Sequence, residues 1–348
     1  NNRVITIMVY AVSFIIIFLI GKKKIALSSF PALLFIYAVP IINWLLNPNI
    51  SQYLDIPQYM ILAYYLPLGF LIFRNIYSWD NFVRILFLYT PFAILIGLYV
   101  ILFSEITTLD RMDTYVTYME FSYALLPFVC ATFAYYNQSG NIFSLVLFIC
   151  GLAEMLSFGC RGAMLFSIVF AFISRFFIYR RRIGLLIFLS IILFIVFINI
   201  DSIFNALSNV SIFSNSYILH HAMEGDVFEH NSRELIFAKC KNRIARMGLE
   251  ISGLFGDREY CGSVYPHNIV YEVLMQWGWV FGGAFLLYLA ILFIKGFSRN
   301  NTSKLITLYF CCAILFKFFV SDSYIQNGLF WIMIACMINV SKAPKQTV

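Results

Sequence analysis

Charge is the scarcest property of this 348-residue sequence, because Asp, Glu, Lys and Arg together make up only 12% of it. An ordinary soluble domain carries roughly 25%. Hydrophobic residues make up 61% of the chain, with 38 Phe and 22 Tyr, and the mean hydropathy is +0.84. Since the apolar residues are spread along the whole length, the composition excludes a water-soluble globular protein. It predicts an all-α polytopic membrane protein.

The sequence also lacks the short motifs of nucleotide and hydrolase chemistry. It contains no Walker A motif, GxGxxG, GxSxG or HExxH, so a cytoplasmic ATP-driven activity has no support. Its four histidines are His220, His221, His230 and His267. None of them shows the compact ligand spacing of a zinc site. We therefore expect no metal and no other cofactor.

Apolar segments of the length needed to span a bilayer occur eleven times. They lie near residues 4–20, 26–46, 57–73, 85–103, 116–136, 142–158, 162–179, 183–200, 267–294, 304–320 and 324–340. The one long polar stretch, residues 201–265, separates the eighth segment from the ninth. No repeat or linker is apparent, which predicts a single transmembrane domain over residues 1–348 with one large inserted loop.

The net charge of +7 is a topology signal and not a sign of nucleic-acid binding. Outside the long loop, fourteen Lys and Arg fall on one side of the predicted membrane and three on the other. Positive residues mark the cytoplasmic side, so the long loop faces outward, with eight acidic and six basic residues. This assignment leaves the N-terminus outside and the C-terminus inside. Because the sequence also starts without Met, we expect a twelfth span before residue 1.

Ionisable residues inside predicted spans are costly and are functional candidates by default. Six of them fall in the outer halves or at the outer ends of their helices: Glu120, Glu154, Arg161, Glu272, Lys317 and Asp322. Their common depth predicts a polar cavity that opens outward beneath the long loop. The alternative is that each one pairs structurally or extends its charged end to the interface.

Arg161 lies in a turn of small residues between two apolar segments, with Gly159 and Gly162 on either side. Backbone can approach closely at such a turn, and a fixed guanidinium there can face an anion. The alternative is a simple interfacial anchor.

The long loop contains a predicted amphipathic helix of about four turns. Asn231 is expected to cap its start, with Glu234 as the capping-box partner. Four apolar residues then recur at helical spacing: Ile236, Cys240, Ile244 and Met247. Arg233 lies in the first turn, where a cation opposes the helix dipole and a bound phosphate would reverse that effect. Cys240 and Cys261 are the only cysteines of the loop, and spacing alone does not show whether they pair.

The loop ends at Tyr265-Pro266-His267-Asn268, and the ninth span follows. Pro266 suits the first position of a helix, which would place His267 at a helix N-terminus. The dipole there keeps an imidazole neutral, and a neutral imidazole can act as a general base. The alternative is a histidine that only caps the helix at the interface.

Taken together, these features resemble the bacterial O-antigen and polysaccharide polymerases of the Wzy type and the related O-antigen ligases. The matching motifs are Ser157-x-Gly159-x-Arg161-Gly162-Ala163, Ser232-Arg233, Gly253-x-x-Gly256, Pro266-His267-Asn268 and Gly278-Trp279-Val280-Phe281-Gly282. The likeness in topology covers nearly the whole chain, whereas the motifs cover about residues 157–163 and 231–283. One departure is the span count, because relatives commonly have twelve spans with both ends in the cytoplasm.

The resemblance implies a glycosyltransferase of GT-C-like architecture in the bacterial inner membrane, with its active site on the periplasmic side. Its donor and acceptor partners would be undecaprenyl-pyrophosphate-linked oligosaccharides, in contact with membrane lipids and with a chain-length regulator protein. Arg161 and Arg233 would bind the donor pyrophosphate, and His267 would be the catalytic base. Plausible acceptor or sugar contacts are Tyr265, Asn268, Tyr271 and Glu272.

Two other functions stay open on the sequence alone. An O-antigen ligase uses the same donor and transfers the glycan to the lipid A core. A transporter of lipid-linked oligosaccharides would need polar groups at or around the membrane midplane, and the inner halves of the predicted spans supply almost none.

Overall fold

The computed structural model describes residues 78–103, 111–158, 160–179, 231–262 and 265–342, together with positions 45, 184, 199, 202 and 206. These residues form helices and their connecting turns, and the described part contains no strand. The all-α prediction is therefore confirmed for it. The predicted spans at 4–20, 26–46, 57–73 and 183–200 lie almost wholly outside the described residues, as does the first half of the long loop.

Eleven α-helices lie within the continuous described ranges, and we number them in chain order. They are α1 (Trp79–Phe103), α2 (Arg111–Ser139), α3 (Ile142–Ser157), α4 (Arg161–Ile173), α5 (Asn231–Met247), α6 (Arg258–Cys261), α7 (Ile269–Trp277), α8 (Gly283–Phe297), α9 (Asn301–Phe310), α10 (Lys317–Val320) and α11 (Gly328–Ser341). Three turns of π-helix interrupt segments that the sequence predicts as continuous spans. They are Ser174–Ile178, Gly278–Gly282 and Cys311–Leu315.

Three helical stretches are long and apolar enough to cross a membrane: Trp79–Val100, Ile269–Phe297 and Asn301–Val320. Three shorter apolar stretches are Ile142–Met155, Gly162–Ile178 and Gly328–Ser341. The outer face of α1 is itself apolar, since Phe92 and Leu95 are 63% and 61% exposed. Exposed apolar surface of this kind marks contact with lipid or with a partner. These features fit a membrane protein, and the count of eleven spans stays a prediction.

The described chain divides into two compact units. The bundle unit contains the described residues of Ser78–Ser232 and Asn300–Lys317. In it α2 packs against α1, α3 and α4. Leu126, Val129 and Phe133 on α2 are fully buried, which explains why this long helix of low apolar periodicity is stable: nearly every face of its middle meets another helix.

Some buried polar side chains in the bundle unit form hydrogen bonds between helices. Thr90 on α1 and Thr132 on α2 share a hydrogen bond of 2.8 Å between their hydroxyl oxygens. The buried Tyr309 on α9 donates its hydroxyl to the carbonyl of Pro127 at 3.0 Å. Such interhelical bonds between hydroxyl groups and neighbouring helices are typical of helices that pack in a membrane.

The loop unit contains the described residues of Arg233–Arg299 and Phe318–Lys345. Its helix α5 confirms the predicted amphipathic helix, because the residues predicted for the apolar face are the ones turned inward. Cys240, Ile244 and Met247 are buried in one cluster with Leu274 and Met275 of α7. The polar face stays outside, and Lys239, Lys241 and Arg246 are exposed.

The glycine-rich segment after α7 packs against α5 and the residues that follow it. Gly278 has a φ of +69°, and a Cβ atom at this position would lie 2.7 Å from the carbonyl oxygen of Glu250. Only glycine fits there without strain. Trp279 follows and donates its indole N–H to the carbonyl of Ile244 at 3.2 Å. These contacts give a structural reason for the Gly-Trp motif.

Candidate functional site

His267 is held by an ordered turn at the entrance to α7. Its backbone φ is +54°, in the left-handed region, which is uncommon for residues other than Gly, although Asn, Asp and His are enriched there. The imidazole ring is half-buried, and its centroid lies 4.3 Å from that of Tyr265. Strained backbone of this kind persists only where surrounding contacts impose it, and it clusters at functional sites.

The predicted start of the helix is wrong by three residues. The sequence places Pro266 at the first helical position, whereas α7 begins at Ile269 with Asn268 as its N-cap. The Asn268 side-chain oxygen accepts the N–H groups of Val270 at 3.0 Å and Tyr271 at 3.4 Å. Asparagine caps helices strongly because it satisfies such donors. His267 therefore precedes the cap and does not lie in the first turn.

Tyr265 and Asn268, which lie close to His267 in the chain, both form hydrogen bonds to the turn that follows α10. Tyr265 donates its hydroxyl to the carbonyl of Ser321 at 2.8 Å. Asn268 donates its side-chain N–H to the carbonyl of Phe319 at 3.2 Å. The residues on both sides of His267 are thus fixed, which defines the position of its ring.

Tyr271 faces the loop helix. Its ring lies 5.5 Å from that of Phe237 on α5, in an edge-on arrangement, and it packs beside the buried cluster around Cys240. This packing is a sufficient reason for an aromatic residue at position 271, and no contact with a substrate is needed to explain it. The predicted role of Tyr271 in acceptor binding stays a prediction.

Glu272 is fully buried on α7, and its carboxylate is fully engaged. It accepts hydrogen bonds from the Ser323 hydroxyl and, at 3.3 Å, from the backbone N–H of Tyr324. The guanidinium of Arg258 lies 3.7 Å away. A direct sugar contact by Glu272 would require this arrangement to open.

Arg258 stands at the centre of a buried polar network that the sequence did not predict. One guanidinium nitrogen donates to Asp257 at 2.8 Å, and the other donates to Ser323 at 3.3 Å. Asp257 also accepts the side-chain N–H of Gln276 at 2.6 Å. Burial raises the pKa of Asp257 above its usual value, and Arg258 and Gln276 act in the opposite direction.

Tyr324 extends the network towards α7. Its hydroxyl donates to the side-chain oxygen of Gln276 at 2.7 Å and accepts the indole N–H of Trp277 at 2.8 Å. The Tyr324 side chain is buried. The network therefore joins the segment of Asp257 and Arg258, the helix α7 and the turn after α10.

The network also touches the segment that carries His267. The Tyr265 ring lies 5.4 Å from the guanidinium carbon of Arg258, on the geometry of a cation–π contact. The same ring lies against the imidazole of His267. Arg258 thus supports His267 through Tyr265. The sequence signal for this role was only the charged run after the Gly253-x-x-Gly256 break.

Arg161 begins α4 in the bundle unit, directly after the turn that ends α3. The backbone of Gly162 lies close to a side chain, because a Cβ atom on Gly162 would lie 2.7 Å from the Tyr123 hydroxyl. Arg233 is the third residue of α5. The side chains of both arginines lie outside the described part of the chain, so their roles stay predictions.

The other predicted intramembrane charges have different surroundings. Glu120 is exposed on α2. Lys317 lies over the ring of Tyr123, with its nitrogen 5.2 Å from the centroid. Asp322 accepts the N–H of Ser323 at 2.7 Å and the side-chain N–H of Asn327 at 2.6 Å. The common outward cavity stays a prediction.

Glu154 in the bundle unit is only 3% exposed, and neither of its carboxylate oxygens has a hydrogen-bond partner among the described residues. Its side chain occupies the space that a side chain on Gly97 would need. An unpaired buried carboxyl group is costly. We therefore expect Glu154→Leu to raise the free energy of unfolding by about 1–3 kcal/mol, measured as a higher melting temperature in detergent.

The matched control is Glu120→Leu on the neighbouring helix, where the exposed carboxylate should leave the melting temperature nearly unchanged. A lower melting temperature for Glu154→Leu would show that this carboxyl group stabilises the bundle unit.

The described residues contain no group of three or more His, Cys, Asp or Glu that could hold a metal ion. In comparisons with known proteins, no family model, no curated protein and no solved structure matches this chain.

Proposed function

We propose that this protein is a membrane glycosyltransferase that polymerises lipid-linked oligosaccharide repeat units of the O-antigen or capsule type. It transfers the glycan from undecaprenyl pyrophosphate to the sugar end of another lipid-linked unit. The reaction needs no metal ion and takes place on the outer face of the bacterial inner membrane. The proposal includes the GT-C-like architecture that the resemblance implies.

The observation that supports this proposal most directly is the conformation of His267. His267, to which the resemblance assigns the role of the base, has a left-handed backbone conformation. It lies between Tyr265 and Asn268, both of which are tied by hydrogen bonds. A general base needs such a defined position, because proton transfer requires hydrogen-bond distance to the acceptor hydroxyl.

In the proposed reaction, His267 takes the proton of the acceptor hydroxyl while its oxygen attacks the anomeric carbon. The bond from that carbon to the pyrophosphate oxygen breaks, and undecaprenyl pyrophosphate leaves with the electron pair. Direct attack in line inverts the anomeric configuration. Arg161 and Arg233 neutralise the charge that develops on the leaving group, a task that suits the two-pronged guanidinium.

Single replacement of Arg161 or Arg233 by alanine tests the proposal. Each is expected to lower the rate about 10²–10³-fold, as removal of one group that stabilises developing charge does. The measurement is glycan chain length on a gel, at matched protein level and in the presence of a chelator. Loss of polymerase activity leaves lipopolysaccharide capped by a single repeat.

Arg246→Ala is the matched control, because Arg246 is exposed on α5, the helix that carries Arg233. It should leave the ladder intact. Long chains stranded on undecaprenyl pyrophosphate would identify a ligase instead. Intact ladders for both Arg161→Ala and Arg233→Ala would refute the glycosyltransferase proposal.

A further inference from the structure

Two cysteines of the loop unit touch each other. Cys240 on α5 and Cys261 at the end of α6 have their sulfur atoms 3.5 Å apart, although they are 21 residues apart in the chain. Cys240 is fully buried, and Cys261 is 4% exposed. They are the only cysteines between residues 201 and 265. A buried thiol can pack against any apolar group, so contact between these two needs a separate explanation.

We infer that Cys240 and Cys261 are joined by a disulfide bond in the mature protein, formed by the disulfide of a thiol oxidase outside the cytoplasm. The bond requires the two sulfur atoms to approach by about 1.5 Å, to a separation of about 2.05 Å. Small side-chain rotations bridge such a gap. The inference rests on the outward orientation of the loop, and it does not depend on the proposed glycosyltransferase activity.

The bond forms by thiol–disulfide exchange in two steps. The thiolate is the nucleophile. In the first step, the thiolate of one of the two cysteines attacks the disulfide of the oxidase and releases one oxidase thiol.

The second step completes the bond. The other cysteine gives up its proton, and its sulfur attacks the sulfur of the first cysteine in the mixed disulfide, which releases the second oxidase thiol. Two thiols of this protein are oxidised, and one disulfide of the oxidase is reduced to a dithiol. Because both sulfur atoms are buried, the exchange takes place while the loop unit folds.

The bond would close the segment that carries the Gly253-x-x-Gly256 turn and Asp257. Gly253 already donates its N–H to the carbonyl of Gln276 at 2.8 Å, and Asp257 accepts from the Gln276 side chain. A covalent link between α5 and α6 restricts the unfolded chain and holds Asp257 beside α7.

Counting oxidised cysteines tests the inference. Native membranes are dissolved in denaturant with N-ethylmaleimide, which blocks every free thiol, and are then reduced and labelled with a polyethylene-glycol maleimide. We expect two mass tags on each wild-type chain and no tag on Cys240→Ala or Cys261→Ala. The reduced wild-type protein should also melt at a lower temperature than the oxidised one.

Cys150→Ala is the matched control, since Cys150 is exposed on α3 in the bundle unit, and this variant should keep both tags. A wild-type chain without tags would overturn the inference, and so would two tags that persist in Cys240→Ala. Glycan ladders are read on the same samples. Two tags on a wild-type chain that shows no polymerase activity would support the disulfide and refute the proposed function.

Discussion

Replacement of His267 by glycine or asparagine is expected to abolish the glycan ladder and leave the folded protein intact. Glycine adopts the left-handed conformation freely, and asparagine is enriched in it as histidine is, so we expect both variants to tolerate the native φ of +54° at this position. Neither supplies a base near neutral pH. Loss of a general base lowers a rate typically 10²–10⁴-fold, which should remove all but the shortest glycans.

This pair of variants separates a chemical role from a structural one. If His267 only shaped the turn, glycine and asparagine would shape it as well, and the ladder would stay normal. Added imidazole should restore part of the activity of His267→Gly, because the removed ring leaves space beside Tyr265, against which it normally lies. His230→Ala, in the same loop, is the control and should keep the full ladder.

Local features of the loop unit were predictable because they depend on neighbours in the chain. The helix α5 follows from apolar residues three and four positions apart, and these residues are the buried ones. Periodicity is a property of short segments, so the sequence expresses it directly. The close contact of Gly278 with Glu250 was not predicted, because the sequence indicated the Gly-Trp motif only through its resemblance to the polymerases.

The helix start after the loop was predicted wrongly because two valid signals compete there. Pro266 and Asn268 both suit the start of a helix. The structure favours Asn268, whose side chain satisfies two N–H donors of α7 and also reaches the carbonyl of Phe319. That third contact lies 51 residues away in the chain, and no local rule reveals it.

The buried network was beyond prediction for the same reason. Charged residues at 257, 258 and 322 and Glu272 were visible as separate features of the sequence. One partner of Glu272 is Ser323, which lies 51 positions away and belongs to no recognisable sequence motif. Likewise, the cysteine pair became a specific hypothesis only once the structure placed the two sulfur atoms in contact.

Replacement of Arg258 by methionine is expected to destabilise the protein strongly. Arg258 is the only described cation beside the fully buried carboxylates of Asp257 and Glu272. Removing one partner of a buried ion pair typically costs about 3–5 kcal/mol, because the remaining charge is left without compensation. We expect a large fall in melting temperature in detergent. Arg246→Met, at an exposed position on α5, is the control and should change little.

The pH dependence of this variant has a defined sign. Burial already raises the pKa of Asp257 in the folded protein, and loss of Arg258 removes the opposing influence. A group whose pKa is higher in the folded state than in the unfolded state loses its stabilising contribution as the pH rises. Arg258→Met should therefore be most stable in acid and should lose stability steeply as the pH rises through the raised pKa of Asp257. Wild-type protein should show a weaker dependence.

Neutralising the two carboxylates separates the contribution of the Arg258 charge to stability from the contribution of its packing. Asp257→Asn and Glu272→Gln, added to Arg258→Met, remove the uncompensated charge, and we expect them to restore much of the melting temperature. The guanidinium that supports the Tyr265 ring, and through it His267, is still missing. The triple variant should thus fold but polymerise slowly. A triple variant as unstable as Arg258→Met would mean that Arg258 stabilises the loop unit mainly by packing against Phe255 and Tyr265.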